Sequence, residues 1–161
     1  MCDYSLMAVP NRLAHENEDL VAHRFPTGSM GLASPSNLRK IGDPPQSQPR
    51  SFWSALKNFF NPPKTQPVCA VCIPPGARLM LYDIPARMQT ELGIGAQEDV
   101  TFTQISAMAN SYRDAVRFHN GRVIRLQEMR EGQRVRVLDL SYADAYEPLA
   151  EERPELLFRL R

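Results

Sequence analysis

Cys2 stands directly behind Met1, and a residue that small permits removal of the methionine. The cysteine then carries a free α-amino group titrating near ~8, which can act as base for its own thiol in N-terminal-nucleophile chemistry. Cys2 is accordingly the candidate catalytic residue. It also shares an alternating face with Tyr4, Leu6 and Ala8, the pattern of a core side chain on a strand. A second chemical spacing is Cys69-Ala70-Val71-Cys72. A zinc knuckle needs a turn there, and a redox pair needs a helix N-terminus that favours the thiolate. The segment reads as a strand, where residues three apart face opposite ways and cannot share one tetrahedral ion, so buried structural cysteines are expected.

The Met1-Cys2 start is similar to that of class II glutamine amidotransferases and of abasic-site-binding SRAP domains. The resemblance implies an exposed, reactive Cys2, although both families usually continue with Gly where this chain has Asp3. The opening Met1-Cys2-Asp3-Tyr4-Ser5-Leu6, with Val71-Cys72-Ile73-Pro74-Pro75-Gly76 and Glu131-Gly132-Gln133, also resembles small bacterial proteins of unknown function. That resemblance implies no activity.

His15, His23 and His119 occur singly, and no residue set has the spacing of a metal centre or a nucleophile elbow. Thr27-Gly28-Ser29-Met30-Gly31 matches neither a P-loop nor a dinucleotide fingerprint, so no cofactor is expected. The stretch from Arg113 to Arg136 holds seven Arg and no Lys. Guanidinium rows suit phosphates, which supports an anionic-ligand or nucleic-acid reading. Against nucleic acid, only Tyr112 and Phe118 lie near enough to stack, and Asp114, Glu128, Glu131 and Asp139 offset much of the charge.

These arginines sit in the most strongly patterned part of the chain, Tyr112 to Leu140, which reads as a three-stranded antiparallel meander. Asn120-Gly121 suits a two-residue type I′ turn, and Arg130-Glu131-Gly132 suits a three-residue hairpin. The first turn sets Phe118 opposite Val123 and Val116 opposite Arg125. One face then carries Val116, Phe118, Val123, Val135 and Val137, with Arg125 among them. Asp114 and Asp139 lie diagonal to Arg125, so a structural polar cluster of Asp114, Arg125 and Asp139 is expected.

The rest of the chain must pack around that element. With 161 residues and 43% hydrophobic side chains, one domain over 1–161 with a real core is expected. Fourteen prolines exclude long continuous helices, and a formal charge of +1 gives no global argument for polyanions. No apolar run is long enough to span a membrane and no leader pattern opens the chain; with an odd number of cysteines this points to a reducing, cytoplasmic setting.

Cys2 to Val9 and Asp19 to Phe25 read as a hairpin around the polar stretch at His15 to Asp19. From Ser34 to Pro67 the composition shifts to Pro, Ser, Gln and Asn, an irregular insertion. It carries one amphipathic island, with Phe52, Leu56, Phe59 and Phe60 at helical spacing and Trp53 beside them. So short a helix needs a surface to dock on, either its own domain or a protein partner or membrane. Val68 to Ile73, Arg78 to Tyr82 and Asp99 to Ser106 read as strands. Asp83 to Gly93 reads as a capped helix over Ile84 to Leu92. The expected fold is mainly β, a small antiparallel barrel or sandwich with one or two short helices, acting as a binding or accessory module.

Overall fold

Strand-forming residues recur in segments of three to seven residues broken by Gly, Pro and Asn, so their backbone amides must find partners between segments. A computed structural model of the chain describes residues 6, 8–42, 67–105 and 111–141. Among these, nine strands form one mixed sheet: β1 (Asn11–Leu13), β2 (Asp19–Arg24), β3 (Met30–Ala33), β4 (Ala70–Cys72), β5 (Arg78–Leu81), β6 (Glu98–Gln104), β7 (Asp114–Phe118), β8 (Val123–Arg125) and β9 (Arg134–Asp139). Two helices accompany them, α1 (Pro35–Gly42) and α2 (Ala86–Leu92). The spatial order is β1-β4-β3-β2-β9-β5-β6-β7-β8. β1 and β4 run parallel, and the other neighbours are antiparallel. The chain is mainly β, and the sheet is not closed into a barrel.

The sheet nevertheless curls over a shared interior. Leu20, Leu32, Leu79, Val100, Phe102, Val116, Ile124 and Val137 join one buried cluster, although they come from strands on both halves of the sheet. The turn Leu126–Glu128 after β8 reaches back to β3, where Gln127 Nε2 donates to the Met30 carbonyl at 3.5 Å. A second, smaller cluster of Leu6, Phe25, Ala33 and Ala70 lies beside it, with Leu38 of α1 packed against it. Gly31 makes room for them: a Cβ at that position would lie 2.7 Å from Leu6 Cδ1 and 3.0 Å from Phe25, so one of those side chains would have to shift.

Several expectations change. Of the expected strand Cys2 to Val9 only residues 6, 8 and 9 are described, and none of them is in a strand; Asn11–Leu13 forms the first described strand, and it pairs with β4 instead of making a hairpin with β2. Met30–Ala33, where no strand was expected, is a fully buried strand. The segment 34–67 is not irregular throughout, because α1 occupies its start. The island Phe52, Trp53, Leu56, Phe59 and Phe60 lies outside the described residues, as does Cys2. Helix α2 begins at Ala86 behind Pro85, and Asp83 sits at φ 55 bound to Arg134 instead of capping. Gly93 ends the helix in the left-handed region at φ 65, as its position suggests.

The largest correction concerns the meander. β7 and β8 do form a hairpin, but Phe118 N–H donates to Arg122 O at 2.8 Å, leaving His119-Asn120-Gly121 as a three-residue loop. Gly121 takes the left-handed position at φ 82, and Asn120 Nδ2 donates to Leu92 O at the end of α2. The ladder therefore slips by one, pairing Val116 with Ile124 and Ala115 with Arg125. A slip of one residue exchanges the two faces of a strand. Ile124 and Leu126 enter the core in place of Val123 and Arg125. Nor does β9 follow β8 in the sheet. It inserts between β2 and β5, with three strands between it and β8.

Candidate functional site

The slipped register dissolves the expected cluster of Asp114, Arg125 and Asp139. Asp114 points with Val116 and Phe118 toward the interior, where Gln104 Nε2 donates to it at 3.0 Å. Arg125 belongs to the opposite face of the hairpin. Asp139 lies on β9 opposite Arg78, and the hydroxyl of Ser141, with its backbone N–H, holds the carboxyl below the usual aspartate range.

What the register assembles instead is a group of arginines on the outer face. Side chains alternate along β7, so Arg113, Ala115 and Arg117 share one side, and Ile105 N–H donating to Arg113 O at 3.0 Å extends the pairing back to Arg113. Ala115 pairs with Thr103 of β6 and with Arg125 of β8. Arg113 and Arg117 thus flank Arg125 on the two diagonals, with their Cα atoms roughly 7–8 Å from it. Ala115 and Thr103 are wholly buried between them, and all three arginines are half-buried. Arg117 Nη2 donates to Thr103 Oγ1 at 3.4 Å, and Arg125 Nε is shielded from solvent with no hydrogen-bond acceptor.

The charge pattern elsewhere gives this group its meaning. Arg12, Arg78, Arg87, Arg134 and Arg136 each pair with a carboxylate, from Glu18, Asp99, Glu91, Asp83 and Asp19 respectively. Arg134 also lies over the Tyr82 ring at 5.3 Å. Among the described residues, neither Arg117 nor Arg125 forms an ion pair. Glu128, the carboxylate next to Arg125 along the chain, accepts from the Arg125 backbone N–H at 3.0 Å. Neighbouring like charges on a sheet face repel, so Arg117 and Arg125 side by side, with no carboxylate paired to them among the described residues, favour the approach of an anion.

The paired arginines have a different role, seen best at Arg12 and Glu18. Burial pushes the Glu18 carboxyl up, but the hydrogen bonds from Arg12 and from the His15 backbone, with the Arg12 charge, bring it below the ordinary glutamate value. A carboxyl lowered on folding adds stability above its unfolded pKa and loses it as the pH falls through the folded value. Glu18→Gln is therefore expected to flatten the decline in stability below pH about 4.5, measured by urea unfolding across pH. An unchanged acid limb would remove the pair from the account.

The remaining candidates are dispersed. Cys69 is half-buried ahead of β4, and Cys72 is buried at its end. Cys72 is not the plain buried thiol expected from sequence, because it is disulfide-bonded. His23 Nδ1 lies 3.4 Å from Glu131 Oε1. No group of three metal-ligating side chains occurs among the described residues, and none of the described helices is long and apolar enough to cross a membrane. Compared with family models, curated proteins and solved structures, the chain shows no significant match to any of them. The arginine group escaped sequence reading because the residue types were visible but the face they share depends on one loop residue.

Proposed function

We propose that this protein is a binding module that takes an oxyanion on the outer face of β6, β7 and β8, with Arg117 and Arg125 as the principal ligands and Arg113 beside them. The reading is carried by one observation: Arg117 and Arg125 share a face around the small Ala115, and among the described residues neither pairs with a carboxylate, while five other arginines do. Guanidinium groups offer parallel N–H donors that match phosphate and carboxylate oxygens. Thr103 holds Arg117 from behind. A compact anion suits the site better than a nucleic-acid strand, since Phe118 is buried on the other face and, among the described residues, only Tyr112 is an exposed aromatic near it.

Isothermal titration of the full chain with pyrophosphate tests this. Charge-assisted hydrogen bonds are worth ~1.5–3 kcal/mol each, so Arg117→Gln with Arg125→Gln is expected to weaken binding by more than about tenfold. Arg87→Gln, at an exposed pair on α2, should leave it unchanged. Equal affinity in the double variant and the parent would end the proposal.

A further inference from the structure

Asn120-Gly121 is the single Asn-Gly pair in the sequence, and both residues lie exposed in the loop between β7 and β8. Asparagine before glycine is the arrangement least protected against self-conversion, because no side chain on the following residue shields its amide nitrogen from the carboxamide carbon. Nothing packs over the glycine either: at φ 82, a Cβ built on Gly121 would meet no atom within 4 Å. We infer that Asn120 is a covalent modification site latched by helix α2, and that its deamidation unties the hairpin from that helix.

The step balances with water alone. Hydroxide takes the Gly121 amide proton, the nitrogen attacks Asn120 Cγ, and Nδ2 leaves as ammonia to give a five-membered imide. Water then opens the imide at either carbonyl, leaving an aspartyl or isoaspartyl residue in place of Asn120. In the fold both reacting nitrogens are engaged. Asn120 Nδ2, the leaving group, donates to Leu92 O at 2.9 Å, and Gly121 N–H, the attacking group, donates to Phe118 O at 2.9 Å. Asn120 Oδ1 also accepts from the Arg122 N–H at 3.1 Å. The site therefore reacts only after a local opening, at a rate set by how firmly the hairpin holds α2.

Leu92 O belongs to the carbonyls that a helix end leaves without a partner inside the helix. Gly93 stops α2 there at φ 65, and the Asn120 amide supplies a donor. An aspartyl product keeps an acceptor for the Arg122 N–H but has no donor for Leu92 O, and it sets a negative charge against the negative end of the helix dipole. An isoaspartyl product also adds a backbone carbon to a loop that Phe118 N–H and Arg122 O close at 2.8 Å.

The test incubates the full chain in mildly alkaline buffer beside a synthetic peptide of residues 115–124 and follows the tryptic peptide 118–122 by mass. Two hydrogen bonds on the carboxamide should slow conversion in the folded chain by about tenfold or more relative to the peptide. Gly93→Ala, checked for folding by circular dichroism, strains the left-handed cap that presents Leu92 O and should convert several-fold faster than the parent. Asn120→Asp removes only the donor to Leu92, so hydrogen exchange at the Ile94 N–H, which closes α2 on Gln89 O, should speed up by about fivefold. Equal rates in the folded chain and the peptide, a folded Gly93→Ala chain converting at the parent's rate, or unchanged exchange at Ile94 in Asn120→Asp would each overturn the inference.

Discussion

Phe102→Ala is expected to lower the unfolding free energy by about 3–5 kcal/mol, the range for removing an aromatic side chain from a packed interior. Phe102 is 1% exposed and lies across from Val116 within the shared core. Its backbone is fixed on both sides, donating to Ala77 O and accepting from Gly76 N–H at 2.8 Å each. That frame cannot collapse into the space left behind, which places the cost at the upper part of the range. Urea unfolding should show a lower midpoint with an unchanged slope. A midpoint within error of the parent would mean that Phe102 is not in the core.

A pair of neighbouring substitutions should separate sharply. Ile124 is 2% exposed and faces Val116, whereas Val123 is half-buried on the arginine side and pairs with Arg117. Ile124→Asp places an unpaired carboxylate in the interior and is expected to cost several kcal/mol, roughly 3–5. Val123→Asp sets the same carboxylate beside Arg117 and should change stability by no more than about 1 kcal/mol. The two effects would trade places if Asn120-Gly121 formed a two-residue turn. The comparison therefore measures the register itself.

That hairpin also shows where sequence reading succeeded and where it stopped. The strands over 19–24, 78–81, 98–104 and 114–118 were legible to within a residue or two, because alternation and turn residues are local properties. The end of α2 at Gly93 was legible for the same reason. The register was not. An Asn-Gly pair fits a two-residue or a three-residue loop, and the choice falls to contacts far away in sequence: burial of Ile124 and Leu126, and the bond from Asn120 to Leu92. Partner choice was equally hidden, since nothing local in Arg134–Asp139 says that it pairs with β2 and β5 instead of β8. The arginines of the candidate site could be named from the sequence, but their common face followed the register. The oxidised state of Cys72 left no local mark in the sequence.

The position of β9 shapes how the chain can be made. The last of the described strands in sequence is the fifth of nine in the sheet, holding β2 on one side and β5 on the other. A nascent chain that ends before Arg134 has both those strands with an open edge, and its two halves share no ladder. Unpaired edges with apolar faces recruit other chains, so the interval before β9 emerges is when misassembly is most favoured. Pairings of such long sequence separation also close late in folding, because the loop entropy is spent before the contacts form. Synthesis therefore favours a cell that shields the first 133 residues until the strand that unites them arrives.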